Sequence, residues 1–389
     1  MDEMNVDGTL KRKRLLLVNS TLHIGGAEQV AAFLAERIDD RQFETSACYL
    51  KAPGHVADQM VKAGVKLEPI PGLVSGRSSY LTSLQLRRLL IRHRVQIIHT
   101  HDIHGLIDGS VCRLVTPHLR HVHTFHFGNY PHRSGRYKVV ERILWRVPDA
   151  LVAVGHEQAA AIRACYGIPE NRLRVIWNGV EDHSYPDDPE FDTGAPTGVP
   201  VIVSISTLIP QKGLQHLLEA AALLRRSGEP FILLIAGDGA LKEELQRRCA
   251  ELGLGDCVRM LGWVRQASRF VLPSCDIFVQ SSLWEAMSVV VLEAMAAGKP
   301  MVVTRVGENG HVVLDDVTGL LVPPSDAQAL ADALRRLLRD PDLSARLAGA
   351  ARDRYQRHFT VQHMVSRYQA LYHEITNGRL TGTAAALSR

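Results

Sequence analysis

This sequence predicts an α/β architecture of two doubly wound domains, on three grounds. Its 389 residues exceed the size at which a single hydrophobic core usually stops growing. Short apolar or β-branched runs alternate with longer helical patterns, the rhythm of parallel sheets covered by helices. That periodicity lapses between His183 and Gly198, where Pro186, Asp187, Asp188, Pro189, Gly194, Pro196 and Gly198 crowd together.

The elements follow in order. Leu15, Leu16, Leu17 and Val18 form an apolar run that predicts a strand over 14–19. Further strands are expected at 45–50, 96–100, 120–125, 150–154 and 173–177, and residues 14–182 make a first Rossmann-like domain. After a linker at 183–198, strands at 200–206, 231–236, 257–261, 276–280 and 300–304 belong to a second domain over 199–358. Tyr355, Phe359, Met364, Tyr368, Leu371 and Tyr372 repeat at broadly helical spacing, which places a closing helix at 359–376. The ends, 1–13 and about 377–389, carry no fold signal. No 20–50-residue period recurs, so repeat architectures are not expected. Two such domains facing across a cleft are the simplest arrangement, and loops at the carboxyl ends of the strands are where ligands are expected.

Composition narrows the class. A hydrophobic fraction of 46% beside 22% charged residues suits a globular chain rather than a disordered one. Apolar runs such as 231–236 and 289–292 fall far short of the roughly 18 residues a spanning helix needs. The basic run Lys11–Arg14 is followed only by Leu15–Val18, too short for a signal-peptide core, so a cytoplasmic protein is expected. The six cysteines, at 48, 112, 165, 249, 257 and 275, form no C-x-x-C pair and read as reduced thiols. Residues 1–185 hold 24 Lys and Arg against 18 Asp and Glu, whereas the remainder holds 21 against 23. A basic first half suggests an anionic partner, either a membrane surface or a phosphorylated acceptor. No nucleic-acid motif is visible, and no nucleic-acid partner is expected.

The densest chemistry lies between Glu285 and Glu293, two carboxylates separated by seven residues, the first in a turn after a strand and the second inside a helix. Ser288 is placed to cap that helix. The amides of Ser288, Val289 and Val290 then stand at a positive helix end that suits a diphosphate, with Glu285 near a sugar hydroxyl and Glu293 within reach of a ribose.

The stretch Ser282-Leu-Trp-Glu-Ala-Met-Ser-Val-Val-Val-Leu-Glu-Ala-Met-Ala-Ala-Gly-Lys-Pro300 resembles the E-x7-E signature of the retaining family-four glycosyltransferases, the group 1 glycosyl transferases of GT-B fold. Gly25-Gly26-Ala27-Glu28, Asn178-Gly179-Val180 and Pro210-Gln211-Lys212-Gly213 resemble the same family in the right order, over residues 14 to 375. The resemblance implies a nucleotide-sugar donor held mainly by the second domain, a glycan or lipid-linked acceptor held by the first, and a last helix that returns to the first domain. It implies that Glu285 contacts the donor sugar, Glu293 the ribose, and Lys212 the diphosphate. Gly25 and Gly26 would let backbone approach phosphate. His126 resembles a histidine near the donor sugar and β-phosphate, while Trp263 and Val264 resemble a loop that contacts the base. Transfer would retain anomeric configuration by front-face attack, with no metal and no cofactor beyond the sugar nucleotide; UDP-sugars are favoured and GDP-sugars come second. Two positions depart from the family. Thr207 stands where members carry Arg, which removes a charge from the diphosphate site unless Arg305 substitutes, and Ala286 replaces a common glycine.

Plainer readings stand beside these. His99, His101 and His104, with His121, His123 and His126 nearby, suggest a metal, but their spacing matches no ligand set and core histidines satisfied by hydrogen bonds are expected instead; His101 and Asp102 are acceptor-side candidates. Gly237-Asp238-Gly239 reads either as a phosphate loop or as a tight strand-to-helix turn. In the basic segment 133–146, Tyr137, Val140, Leu144 and Trp145 recur at helical spacings, a stripe that suits either an anionic bilayer or the chain's own sheet. The rival functions are a nucleotide-sugar epimerase on the same scaffold and a non-catalytic nucleotide-sugar-binding relative.

Overall fold

The computed structural model describes residues 12–23, 25–68, 70, 82–128, 130, 135–182 and 191–377. Residues 183–190 of the expected linker lie outside them. Contacts divide the chain into two units, Met1–Asn178 with Val361–Arg389, and Gly179–Thr360.

The first unit runs β1 (Lys13–Thr21), α1 (Gly26–Arg37), β2 (Phe43–Ala52), α2 (His55–Lys62), β3 (Lys66–Leu67), α3 (Thr82–Arg92), β4 (Ile97–Thr100), α4 (Ile103–Leu114), β5 (Arg120–Phe125), α5 (Gly135–Leu144), β6 (Ala150–Ala153), α6 (His156–Tyr166) and β7 (Leu173–Val175). Its strands form one parallel sheet ordered β3-β2-β1-β4-β5-β6-β7. Leu15, Leu16, Leu17 and Val18 are fully buried, as a strand covered on both faces requires. Leu15 and Leu17 pack into one core with α1 and Met60 of α2, while Leu16 and Val18 pack into another with Leu86, Leu89 and Leu90 of α3.

The second unit runs β8 (Val201–Ile205), α7 (Leu214–Arg226), β9 (Ile232–Ala236), α8 (Lys242–Glu251), β10 (Val258–Gly262), α9 (Ala267–Phe270), β11 (Ile277–Gln280), α10 (Val289–Ala296), β12 (Met301–Thr304), α11 (Asn309–Val312), β13 (Leu320–Val322), α12 (Ala327–Arg339) and α13 (Pro341–His358). Its parallel sheet is ordered β10-β9-β8-β11-β12-β13. Asp326 and Asp340 cap α12 and α13, accepting from the amides of Ala329 and Leu343 at 2.9 Å.

The last helix, α14 (Val361–Thr376), belongs to the first unit, where Val361, Met364, Val365, Tyr368, Leu371, Tyr372 and Ile375 join the core of α1. The helical pattern read from Tyr355 to Ile375 is therefore two helices. It breaks at Phe359 and Thr360, where the chain pairs with Val180: the Val180 amide donates to Phe359 O at 3.0 Å, and Tyr355 OH donates to Val180 O at 3.0 Å. The same pairing takes residues 179–182, expected in the first domain, into the second unit. Strands β3 and β13, with two and three residues, are too short to stand out as apolar runs in the sequence.

Candidate active site

In a doubly wound sheet, ligands bind beyond the carboxyl ends of the strands where the order reverses. In the second unit that point lies between β8 and β11, and the two segments leaving those strands are laced together. The Leu283 amide donates to Gln211 O at 2.7 Å, Gln211 Nε2 to Trp284 O at 2.9 Å, and Ser281 Oγ to Lys212 O at 2.9 Å. Gly213 makes this lacing feasible. Its φ of +58° is left-handed, and a Cβ there would run into the Ser281 carbonyl.

The lacing delivers Lys212 to Glu285. The ammonium donates to Glu285 Oε1 at 2.5 Å, Ser282 Oγ donates to the same oxygen at 2.7 Å, and Gln211 Nε2 reaches Oε2 at 3.3 Å. Glu285 is only 8% exposed, and three donors are what a carboxylate at that depth needs. The loop after β12 closes under it. Gly307, at φ +48°, would drive a Cβ into the Glu285 carbonyl, and the Glu308 amide donates to Ala286 O at 3.1 Å. Arg305 begins this loop, yet its guanidinium bonds Asp315 at 2.8 Å and not the Lys212–Glu285 pair.

Ser288 occupies the N-cap position of α10, but its side chain does not cap as expected. Its hydroxyl instead accepts from Gln280 Nε2 at 2.7 Å, and Gln280 Oε1 accepts from Asn309 Nδ2 at 2.8 Å. Gln280 is buried at the end of β11, and its need for a partner outweighs capping. The amides of Val289 and Val290 are left without a side-chain acceptor at the positive helix end.

One to two turns further on, Glu293 accepts from Ser268 Oγ, and burial pushes its carboxyl up to about 7. Ser268 sits on α9, after the loop that carries half-exposed Trp263 and half-buried Val264, so Glu293 is tied to the helix that follows that loop. Thr207 is exposed in the loop after β8. Gly237 and Gly239 hold this loop, because a Cβ on either would strike the carbonyls of Ser206 or Leu208, while Asp238 bonds Lys242 and the Gly239 amide. The Gly237-Asp238-Gly239 turn thus has a packing role, the plainer of its two readings.

In the first unit the order reverses between β1 and β4. Gly25 and Gly26 stand beyond β1 at the N-terminus of α1. Gly25 is extended at φ −177°, which any residue adopts; a Cβ there would meet only the folded-back carboxyl of Glu28, the movable end of a flexible side chain, whose pKa burial raises. Beyond β4, Asp102 caps α4 through the amides of His104 and Gly105, both at 2.9 Å, and also accepts from Ser20 Oγ at 2.5 Å and the Ser20 amide. These four donors fix the orientation of the Asp102 carboxylate. His126, just beyond β5, has Nε2 3.0 Å from His101 Nδ1, and its ring stacks on that of His101 at 5.3 Å. His101 in turn lies 4.1 Å from the ring of His99, which bonds Tyr372 OH at 2.6 Å and Thr124 Oγ1 at 2.8 Å. Burial lowers all three imidazoles, His126 to about 3, so the column is neutral at physiological pH. Among the described residues no group of three or more His, Cys, Asp or Glu is arranged to hold a metal ion.

Comparison with known proteins adds a family to this geometry. The profile of Glycosyltransferase Family 4 matches residues 24–184, and that of Glycosyl transferases group 1 matches residues 187–354. The chain belongs to the group 1 glycosyltransferases. It is 27% identical to the lipopolysaccharide core biosynthesis glycosyltransferase LpsD of Rhizobium meliloti, over 90% of this chain and 95% of that one. It is 26% identical to the UDP-Gal:alpha-D-GlcNAc-diphosphoundecaprenol alpha-1,3-galactosyltransferase of Escherichia coli, over 90% and 94%. Among solved structures, Anabaena HepE in complex with UDP and glucose superposes with a TM-score of 0.83 at 21% identity, covering 93% of this chain and all of that one, which shows the shared GT-B fold.

In this glycosyltransferase, then, Lys212, Glu285, Ser288, Val289 and Val290 cluster at one switch point, and Glu293 joins them along α10. Gln211 and Ser282 lay inside the quoted motifs without being singled out, and only the fold reveals them as partners of Glu285. Ser268 carried no signal, because its role depends on where α9 packs. No helix among the described residues is long and apolar enough to cross a membrane.

Proposed function

We propose that the protein transfers a sugar from a nucleoside diphosphate donor, UDP-linked by preference and GDP-linked second, to a hydroxyl of a glycan or lipid-linked acceptor, with retention and without a metal. The observation that carries this is the Lys212–Glu285 pair beside the uncapped N-terminus of α10. An ammonium keeps three donors and spends one on Glu285, leaving two for phosphate oxygens. With the amides of Val289 and Val290 it would neutralise the departing diphosphate, the largest electrostatic demand of the reaction.

Retention by front-face attack has support in the same geometry. Glu285 is tied by Lys212, Gln211 and Ser282, so it is poorly placed to act as nucleophile or base. The acceptor proton would pass to the leaving phosphate oxygen as the new glycosidic bond forms on the face the phosphate vacates. Glu285 would bind sugar hydroxyls, Glu293 the ribose hydroxyls, and Trp263 and Val264 the base. His126, Gly25 and Gly26 belong to the first unit, where His126 is a neutral group able to bond a hydroxyl or a phosphate oxygen. Thr207 offers a hydroxyl to the phosphates, while Arg305 would serve them only after leaving Asp315. The UDP donor of the galactosyltransferase relative and the UDP bound to HepE support the preference for UDP, and the names of both curated relatives support a glycoconjugate acceptor.

The test is nucleotide release from UDP-, GDP-, ADP- and dTDP-sugars by purified protein, with Glu285→Ala as control. Release from one donor, lost in the variant, is expected. Donor binding without release at any acceptor concentration would instead favour the non-catalytic alternative.

A further inference from the structure

The apolar stripe expected on 133–146 turns inward: Trp145 is buried, and Tyr137, Val140 and Leu144 are half-buried. The structure exposes a different set. On α3, α4 and α5, with α4 packed between the other two, Leu84, Ile91, Leu114, Val139 and Ile143 are, together with Val115 at the C-cap of α4, each 51–67% exposed. Leu84 and Ile91 share a face of α3 at a spacing of seven, and Val139 and Ile143 share a face of α5 at a spacing of four. Single exposed aliphatics are ordinary, whereas a set gathered on adjacent helices marks a surface that something covers.

Charge on these helices is sorted as well. Their two acidic residues turn inward: Asp108 accepts from Ser83 Oγ and Glu141 from Tyr166 OH. Arg88, Arg92, Arg136 and Arg142 are exposed on the same helices, and exposed Arg146 lies two residues beyond α5. An outer helical face of aliphatic side chains and arginines, without an exposed carboxylate on those helices, complements anionic headgroups above an acyl layer. It lacks the exposed aromatic anchors that a protein partner would engage.

We propose that the outer face of α3, α4 and α5 docks on an anionic lipid bilayer. This deepens the expectation of a lipid-linked acceptor, yet its test does not depend on that reading.

The experiment is co-sedimentation of the full chain with vesicles of phosphatidylcholine alone or mixed with phosphatidylglycerol, at low and high salt. Wild-type protein pellets with the mixed vesicles in low salt and stays in solution with the neutral ones. Arg88→Glu with Arg142→Glu weakens partition by at least about twenty-fold, since each cation near an anionic surface contributes roughly five-fold. Val139→Ser with Ile143→Ser weakens it by about ten-fold. The substituted side chains already face solvent, so both variants keep the wild-type unfolding midpoint and vesicle-free nucleotide release. Equal pelleting with both vesicle types, or unchanged partition in both variants, overturns the proposal. So does a concentration-dependent dimer abolished by Val139→Ser with Ile143→Ser, which would make a second copy the occupant. Vesicle binding by wild-type protein that releases no nucleotide at any acceptor concentration removes the transferase proposal and leaves this one standing.

Discussion

Replacing Lys212 with alanine separates catalysis from structure at one position. In the folded chain the ammonium does two jobs: it bonds Glu285 Oε1 at 2.5 Å, and in the proposed reaction it takes charge from the leaving diphosphate. For the structural role, Glu285 keeps Ser282 at 2.7 Å and Gln211 at 3.3 Å after the change, so its carboxylate is not stranded. The loss of one charged partner from a site 8% exposed then costs about 1–3 kcal/mol of stability. For the catalytic role, removing one oxyanion donor costs about 3–4 kcal/mol of transition-state stabilisation, or roughly 100- to 1000-fold in kcat. Lys212→Ala with Glu285→Gln distinguishes the two, because neutralising the carboxylate removes the unpaired charge and restores stability while turnover stays low. Nucleotide-release kinetics and chemical denaturation read the two quantities on the same samples. Turnover near wild type in Lys212→Ala would refute the assignment of Lys212 to the diphosphate, whatever happened to stability.

Three further outcomes follow from other parts of the structure. Glu293 is raised from an ordinary value of 4.5 to about 7 by burial, so between those values the folded state holds a proton the unfolded chain has lost; the contribution of this group to stability is full below pH 4.5 and is lost as pH rises towards 7, and Glu293→Gln removes that part of the slope in unfolding midpoints measured between pH 4.5 and 7. Gly213→Ala forces a side chain into left-handed backbone and against the Ser281 carbonyl, and is expected to lower stability by about 3 kcal/mol, read by thermal unfolding. Tyr372→Phe strips His99 Nδ1 of its 2.6 Å partner in a fully buried site; a loss of about 1–3 kcal/mol by denaturant titration is expected, with the α14 packing retained.

The strands that carry the sheets were legible because parallel strands buried on both faces are nearly continuous apolar runs, and Leu15–Val18 and Ile232–Ala236 announce themselves that way. The pair Glu285 and Glu293 and the lysine of Pro210-Gln211-Lys212-Gly213 were legible as motifs, since local spacing survives without any knowledge of the fold. β3 and β13 were not, being too short to leave a period. The pattern from Tyr355 to Ile375 looked continuous because helical spacing does not record which core each residue enters, and only the Val180–Thr360 pairing divides it.

Strand order is what the tertiary structure decided. Nothing in the sequence says that β8 lies beside β11, yet that adjacency brings Lys212 within 2.5 Å of a carboxylate 73 residues away. The same holds for Ser288, whose cap position was readable while its bond to Gln280 was not, and for Ser268, joined to Glu293 through the packing of α9. Composition placed an excess of cations in the first half of the chain. Which side of α5 turns Val139 and Ile143 to solvent, and draws Glu141 inward to Tyr166, followed from burial against neighbours that sequence spacing does not contain.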